Sequence, residues 1–233
     1  MAIDPRQLVL DPSFDSDPNR GVALDPSRLT PEALRRRFKD PEAWTAALRA
    51  DERAGPVAAG AAVPAAVLIA LLHRQQGLDE TGLNVLLTHR ALHLPTHAGQ
   101  ISFPGGRIDD GDRGPVEAAL REAEEEIGLP AARIEVLGML PTYLTITHFE
   151  VTPVVGLVLA PVTLQLARDE VEDAFEVPLT FLMDPANHQR RMAGTPEARR
   201  FVYAMPFQDG VRERFIWGVT AAILRNFYEF LRG

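Results

Sequence analysis

Three glutamates, Glu122, Glu125 and Glu126, fall within one short stretch of residues 105–129, which read GGRIDDGDRGPVEAALREAEEEIGL. Pro115 suits a first helical turn and Gly128 a left-handed stop, so the spacing predicts one helix over 115–127. At about 100° per residue the three carboxylates fall on one face. Val116, Ala119, Leu120, Ala123 and Ile127 follow helical periodicity and predict the buried stripe, with Ala118 leaving the acidic face open. Like charges about 6 Å apart oppose folding by roughly 2–3 kcal/mol per pair at an effective dielectric of about 20, before solvent screening. A chain can carry that as a solvated surface, or use it to hold hard divalent cations, which take oxygen ligands. Gly105, Gly106, Gly111 and Gly114 form a tight lead into the helix and favour the second use. Loop plus acidic helix suits a metal-dependent phosphate site.

Other chemistries fit less well. Counted from Asp110, the fifth, sixth and twelfth positions are Gly114, Pro115 and Arg121, which are wrong for a calcium EF-hand. No Gly-Lys-Ser/Thr occurs, so there is no Walker A loop. His89, His93 and His97 have helical zinc-ligand spacing, but Pro95 interrupts such a helix. Ser102 has no nucleophile-elbow pattern and no evident base. With no Cys, there is no thiolate metal site, disulfide framework or cysteine nucleophile.

The acidic segment resembles the box of the Nudix hydrolases, G-x5-E-x7-R-E-U-x-E-E-x-G-U, where U is bulky or aliphatic. Gly106 is followed after five residues by Asp112, and then by Arg121-Glu122-Ala123-Glu124-Glu125-Glu126-Ile127-Gly128-Leu129. The second half matches throughout; in the first, Asp112 replaces Glu and eight residues rather than seven precede Arg121. Those departures resemble the coenzyme A pyrophosphatase branch. So does the stretch upstream, from Leu86-Leu87-Thr88-His89-Arg90 through His97-Ala98-Gly99-Gln100 to Phe103-Pro104-Gly105-Gly106, with Pro95 where the branch has a basic residue. Glu170-Val171, Pro178-Leu179 and Trp217-Gly218-x-Thr220-Ala221 are similar to the branch as well.

The resemblance implies an α+β fold, a Nudix-type α/β/α sandwich with a mixed sheet, covering residues 61–233 behind an N-terminal extension over 1–60. It implies Mg²⁺ or Mn²⁺ on Glu122, Glu125 and Glu126. Glu122 becomes the candidate general base, Glu170 the alternative, and Arg121 the group that orients the glutamates. Thr88, Arg90, His97, Gly99, Gln100, Gly105 and Gly106 become the substrate side. The implied reaction is hydrolysis of coenzyme A or a derivative to 3′,5′-ADP and 4′-phosphopantetheine. The alternatives are ADP-ribose or a dinucleotide as substrate, and a non-catalytic Nudix-fold binding module, whose mark would be lost glutamates.

The elements that must position these groups are legible from apolar runs. Strands are expected at 65–73, 83–89, 134–140, 143–149 and 151–159, and a second, well-packed helix at 215–231. Strands and helices without regular alternation argue for α+β. Asp-Pro pairs at 4–5, 11–12, 17–18 and 25–26 predict an extended arm. Thr30-Pro31 then starts a helix, with Leu29 and Leu34 as a staple and Arg35-Arg36-Arg37-Phe38-Lys39 as a solvated face. Arg190-Arg191 and Arg199-Arg200 read as solvated loop rather than a 3′-phosphate site, and Phe201, Tyr203, Phe207, Phe215 and Trp217 as mostly core. Residues 54–72 carry no charge, yet only 63–72 are densely apolar, which suits a buried strand rather than a membrane span. A net charge of −8 disfavours nucleic acid. With no signal-peptide pattern, a cytoplasmic enzyme acting on a small molecule is expected.

Overall fold

The computed structural model describes residues 7–18, 20–40, 46, 48–50, 62–76, 80–95, 97–159, 161–193, 200–210 and 212–233. Asp4-Pro5, residues 54–61 and Arg199 lie outside the described residues. In chain order the elements are β1 (Val9–Leu10), α1 (Pro31–Lys39), β2 (Val63–Gln76), β3 (Glu80–Arg90), β4 (Ile101–Ser102), β5 (Gly105–Arg107), α2 (Pro115–Ile127), β6 (Ile134–Met139), β7 (Tyr143–Leu144), β8 (Phe149–Val158), β9 (Val171–Pro178), α3 (Leu179–Leu182), β10 (Gln189–Ala193), β11 (Arg200–Asp209), β12 (Arg212–Trp217) and α4 (Val219–Arg232).

β2 is continuously apolar because both of its faces are covered. Ile69 and Leu71 point into a core shared with α4, while Leu68, Ala70 and Leu72 point into a second core under α2. The mixed sheet runs β4-β3-β2-β8-β6, with β5 also on β2, β7 on β8 and β9 on β3. Only the β2–β8 pair among these is parallel. Helix, sheet and helix thus form three layers, as expected.

A second antiparallel sheet, β1-β10-β11-β12, was not expected from the sequence. Its polar side chains conceal it. Arg190 lies over the rings of Phe14 and Phe201 and pairs with Asp11 at 2.6 Å. Arg191 lies over Phe215. These two arginines therefore belong to a strand and not to a solvated loop. The second helix starts at Val219 rather than 215, because Phe215-Ile216-Trp217 complete β12 and Gly218 turns the chain with φ 64°. The expected strands 143–149 and 151–159 are instead the short β7 and one unbroken β8. A turn at Thr145 separates them, its hydroxyl accepting the Phe149 N–H at 2.9 Å.

α1 begins as expected: Thr30 caps Ala33 N–H at 3.2 Å, and Leu29 and Leu34 are buried in the α4-side core. Arg36 and Lys39 are exposed, as expected of a solvated face, but Arg35 and Arg37 are tied to neighbouring elements. Arg35 binds both oxygens of Glu135, at 2.9 and 2.7 Å, and Arg37 donates to the Phe230 carbonyl at 2.8 Å. Among the described residues no helix is long and apolar enough to cross a membrane.

Candidate active site

β5 brings the loop glycines against the acidic helix. It is held in register by Ala65, Ala66 and Val67 of β2, opposite Arg107, Gly106 and Gly105. A Cβ at Gly106 would lie 2.4 Å from Glu122 Oε1, so only glycine lets the carboxylate come this close to the strand. Gly105 N–H donates to Glu126 Oε2 at 3.2 Å.

α2 spans 115–127 as the sequence predicts, and Gly128 stops it at φ 65°. Its buried face differs from the expected stripe. Ala118, Ala119, Ala123, Glu126 and Ile127 are buried, while Val116 and Leu120 lie at the margin. Small side chains let the helix sit close to the sheet, so Ala118 is enclosed rather than beside an open face. The loop after β8 fastens the end of α2: Gln165 N–H donates to the Ile127 carbonyl and Ala167 N–H to that of Glu126, each at 2.9 Å. These bonds satisfy helix-end carbonyls and carry Glu170 toward the glutamates.

Glu126 is 5% exposed. Burial pushes its pKa up to about 8, and the charges of Glu122 and Glu170 add to this. The Gly105 amide and Arg90, 3.6 Å away, oppose the shift. Glu122 is half-buried; burial raises its pKa too, with Arg121 opposing and Glu125 and Glu170 adding. Arg121 is the hub. Its Nη1 donates to Glu122 Oε1 and Glu125 Oε2, both at 3.0 Å. Its Nε and Nη2 grip the two oxygens of Asp112 at 3.1 and 3.0 Å, and Nη2 reaches the Arg107 carbonyl at 3.1 Å. This pairing, above all, holds the Asp112 carboxyl below the usual range. Among the described residues no three His, Asp or Glu side chains converge on one point in the present arrangement. Glu122 and Glu125 face the guanidinium, and Glu126 faces the amide. The expected metal ligands are thus neighbours on one face without sharing a focus, and Glu170 is exposed beside them.

On the other side of β5 opens a cavity of about 820 Å³, the scale of a nucleotide-sized ligand. Of the expected substrate-side residues, Arg90, His97, Gln100, Gly105 and Gly106 line it. Thr88 and Gly99 do not. Thr88 is 1% exposed and bonds the Ser102 carbonyl at 3.2 Å, which fixes β4. Gly99 turns the loop at φ 65°, and its carbonyl meets His89 Nε2 at 3.0 Å. His97 Nδ1 lies 2.9 Å from Gln100 Oε1, so the three histidines serve a strand end and a loop rather than one helical face. Arg107, Phe149 and Trp217 also line the cavity, and only Trp217 had been marked by a motif. The available signal for Arg107 was its place after two glycines in a strand, where side chains alternate between faces.

A family model described as NUDIX domain matches residues 63–197. The uncharacterized Nudix hydrolase NudL of Escherichia coli (strain K12) is 40% identical over 162 residues, which cover 70% of this chain and 79% of that protein. Among solved structures, the Nudix hydrolase RenU of M. smegmatis is 25% identical, with a TM-score of 0.42 over 50% of this chain and 71% of that one. An Ap4A hydrolase of C. elegans is 20% identical, with a TM-score of 0.41 over 49% of this chain and 80% of that one.

Proposed function

Since the chain belongs to the Nudix hydrolase family, we propose that it hydrolyses the diphosphate of coenzyme A or its derivatives, releasing 3′,5′-ADP and 4′-phosphopantetheine or the acylated form of the latter. The supporting observation is where residues 90–106 lie. Arg90, His97, Gln100, Gly105 and Gly106, drawn from the stretch that resembles the coenzyme A branch, line one cavity, and its Gly106 wall abuts Glu122. In this reading residues 61–233 are the catalytic domain and 1–60 an extension, of which Leu29 and Leu34 join the domain's core.

Glu122, Glu125 and Glu126 would hold Mg²⁺ or Mn²⁺, which when bound neutralises the diphosphate and makes a water more acidic. The donor set fits a hard cation. It is all oxygen, and Glu122, Glu125 and Glu170 each raise the cost of charge on a neighbouring carboxylate. Arg121 holds Glu122 and Glu125 in orientation from the side. Arg90 stands between Glu126 and the cavity, placed to donate to a phosphate oxygen. The water oxygen attacks one phosphorus, the P–O–P bond opens, and the bridging oxygen leaves on the other phosphate. Glu122 accepts the water's proton, with Glu170 as the alternative acceptor.

Pro95, exposed where the branch carries a cation, favours a second reading in which ADP-ribose or a dinucleotide is the substrate. Comparing kcat/KM for coenzyme A, dephospho-coenzyme A and ADP-ribose decides between them. Coenzyme A should be preferred; a preference for ADP-ribose would keep the family and discard the branch.

A further inference from the structure

Arg107 is the charged side chain of the cavity that the reaction above does not use. Its guanidinium lies over the Phe149 ring, 5.5 Å from the centroid, and among the described residues it forms no ion pair. No carboxylate lines the cavity among the described residues; its charged side chains are Arg90 and Arg107. In a chain of net charge −8, a cavity walled by two cations and no acid selects for an anion.

The two arginines serve different places. Arg90 faces Glu126, and Gly106 faces Glu122. Alternation along β5 then turns Arg107 to the opposite face, on the side of its register partner Ala65 and against Phe149, in a cavity that Trp217 also lines. Its backbone is fixed twice, by pairing to β2 and by Arg121 on its carbonyl. A cation on a rigid strand, turned away from the glutamates and lying over the Phe149 ring, matches a nucleoside that carries a phosphate outside the diphosphate. We propose that Arg107 is a specificity-determining residue that binds the 3′-phosphate of a 3′,5′-bisphosphorylated adenosine. This rests on the coenzyme A reading, and it makes the enzyme prefer coenzyme A to dephospho-coenzyme A.

The test is calorimetric titration of the full chain with 3′,5′-ADP and with AMP, using wild type, Arg107→Gln and Arg107→Lys. Arg107 is exposed, so both variants should melt like wild type. Wild type should bind 3′,5′-ADP about tenfold or more tighter than AMP, and Arg107→Gln should bring that ratio within about twofold, the scale of one charge-assisted contact. AMP affinity should not change, and Arg107→Lys should keep part of the preference. Equal affinities in wild type, or an undiminished ratio in Arg107→Gln, would overturn the proposal. A matching loss of AMP affinity would place Arg107 on the 5′-phosphate and overturn it as well. Turnover separates the two readings. If coenzyme A is not cleaved but the Arg107-dependent ratio persists, the substrate reading fails and the subsite stands. If coenzyme A is cleaved and the ratio ignores Arg107, the subsite alone falls.

Discussion

A single guanidinium sets the conformation of the acidic cluster. Arg121 touches Asp112, Glu122 and Glu125 through hydrogen bonds of 3.0–3.1 Å, so three of the charges that oppose folding share one counter-charge. Arg121→Gln should therefore lower the melting temperature, since Asp112 loses its buried partner, and lower kcat/KM about 10- to 100-fold, the usual cost of removing a group that orients the proposed metal ligands. Steady-state kinetics beside a thermal melt checks this; unchanged kinetics would remove Arg121 from the mechanism. The same residues show how far sequence reading reaches. Asp112, shorter than Glu and one residue out of register with the family pattern, looked like a departure. In three dimensions it supplies a bidentate grip on Arg121, with its side chain 4% exposed. Glu126 was legible as a member of the acidic cluster but not as a buried acid, because an apolar periodicity has no place for a carboxylate on its inner face.

At the scale of elements, the close meeting of β5 and α2 makes the site, and it depends on Gly106 having no side chain. Gly106→Ala should fold, since the new methyl meets only the end of the Glu122 side chain, at 2.4 Å, and not backbone. It should still cut activity by about tenfold or more by displacing that carboxylate, as small misplacements of reacting groups do. Activity equal to wild type would mean that Glu122 need not approach the strand. The bounds of α2 were readable from Pro115 and Gly128, and the central strands from their apolar runs. The inner stripe was not, since Ala118 and Leu120 are ranked by how close the helix sits to the sheet and not by hydrophobicity. Nor was the division between β12 and α4. Phe215-Ile216-Trp217 continue the apolar run of the helix, and only Gly218 marks the break. β10 and β11 went unread because Arg190 and Arg191 cover aromatic rings with their side chains, a use of arginine that polarity patterns report as surface.

At the scale of the whole molecule, α4 links the cavity to the N-terminal segment. Near its start, Thr220 bonds the Ile101 carbonyl at 2.9 Å; further along, Arg225 holds the Arg20 carbonyl and Tyr228 that of Val22. His188 sits in this junction, 1% exposed, with Nε2 on the Leu182 carbonyl at 2.7 Å and Nδ1 facing Arg225 at 3.3 Å. Burial, with Arg225 adding, lowers its pKa from 6.5 to about 4 against the pull of the Leu182 carbonyl and Asp184. A base whose pKa is lowered in the folded state contributes fully above its unfolded value. Its contribution is lost as pH falls from about 6.5 toward 4, up to about 3 kcal/mol. Glu126, whose raised pKa adds stability as pH falls through the same window, pulls the other way, so the loss is read as the difference in pH slope of urea unfolding between wild type and His188→Gln; equal slopes would exclude His188 as a contributor. Mass-spectrometric identification of the products from coenzyme A incubated with Mg²⁺ or Mn²⁺ tests the proposed reaction itself. The expected products are 3′,5′-ADP and 4′-phosphopantetheine, absent with chelator and with Glu122→Gln. Intact coenzyme A after incubation, or the same products from Glu122→Gln at the wild-type rate, would contradict it.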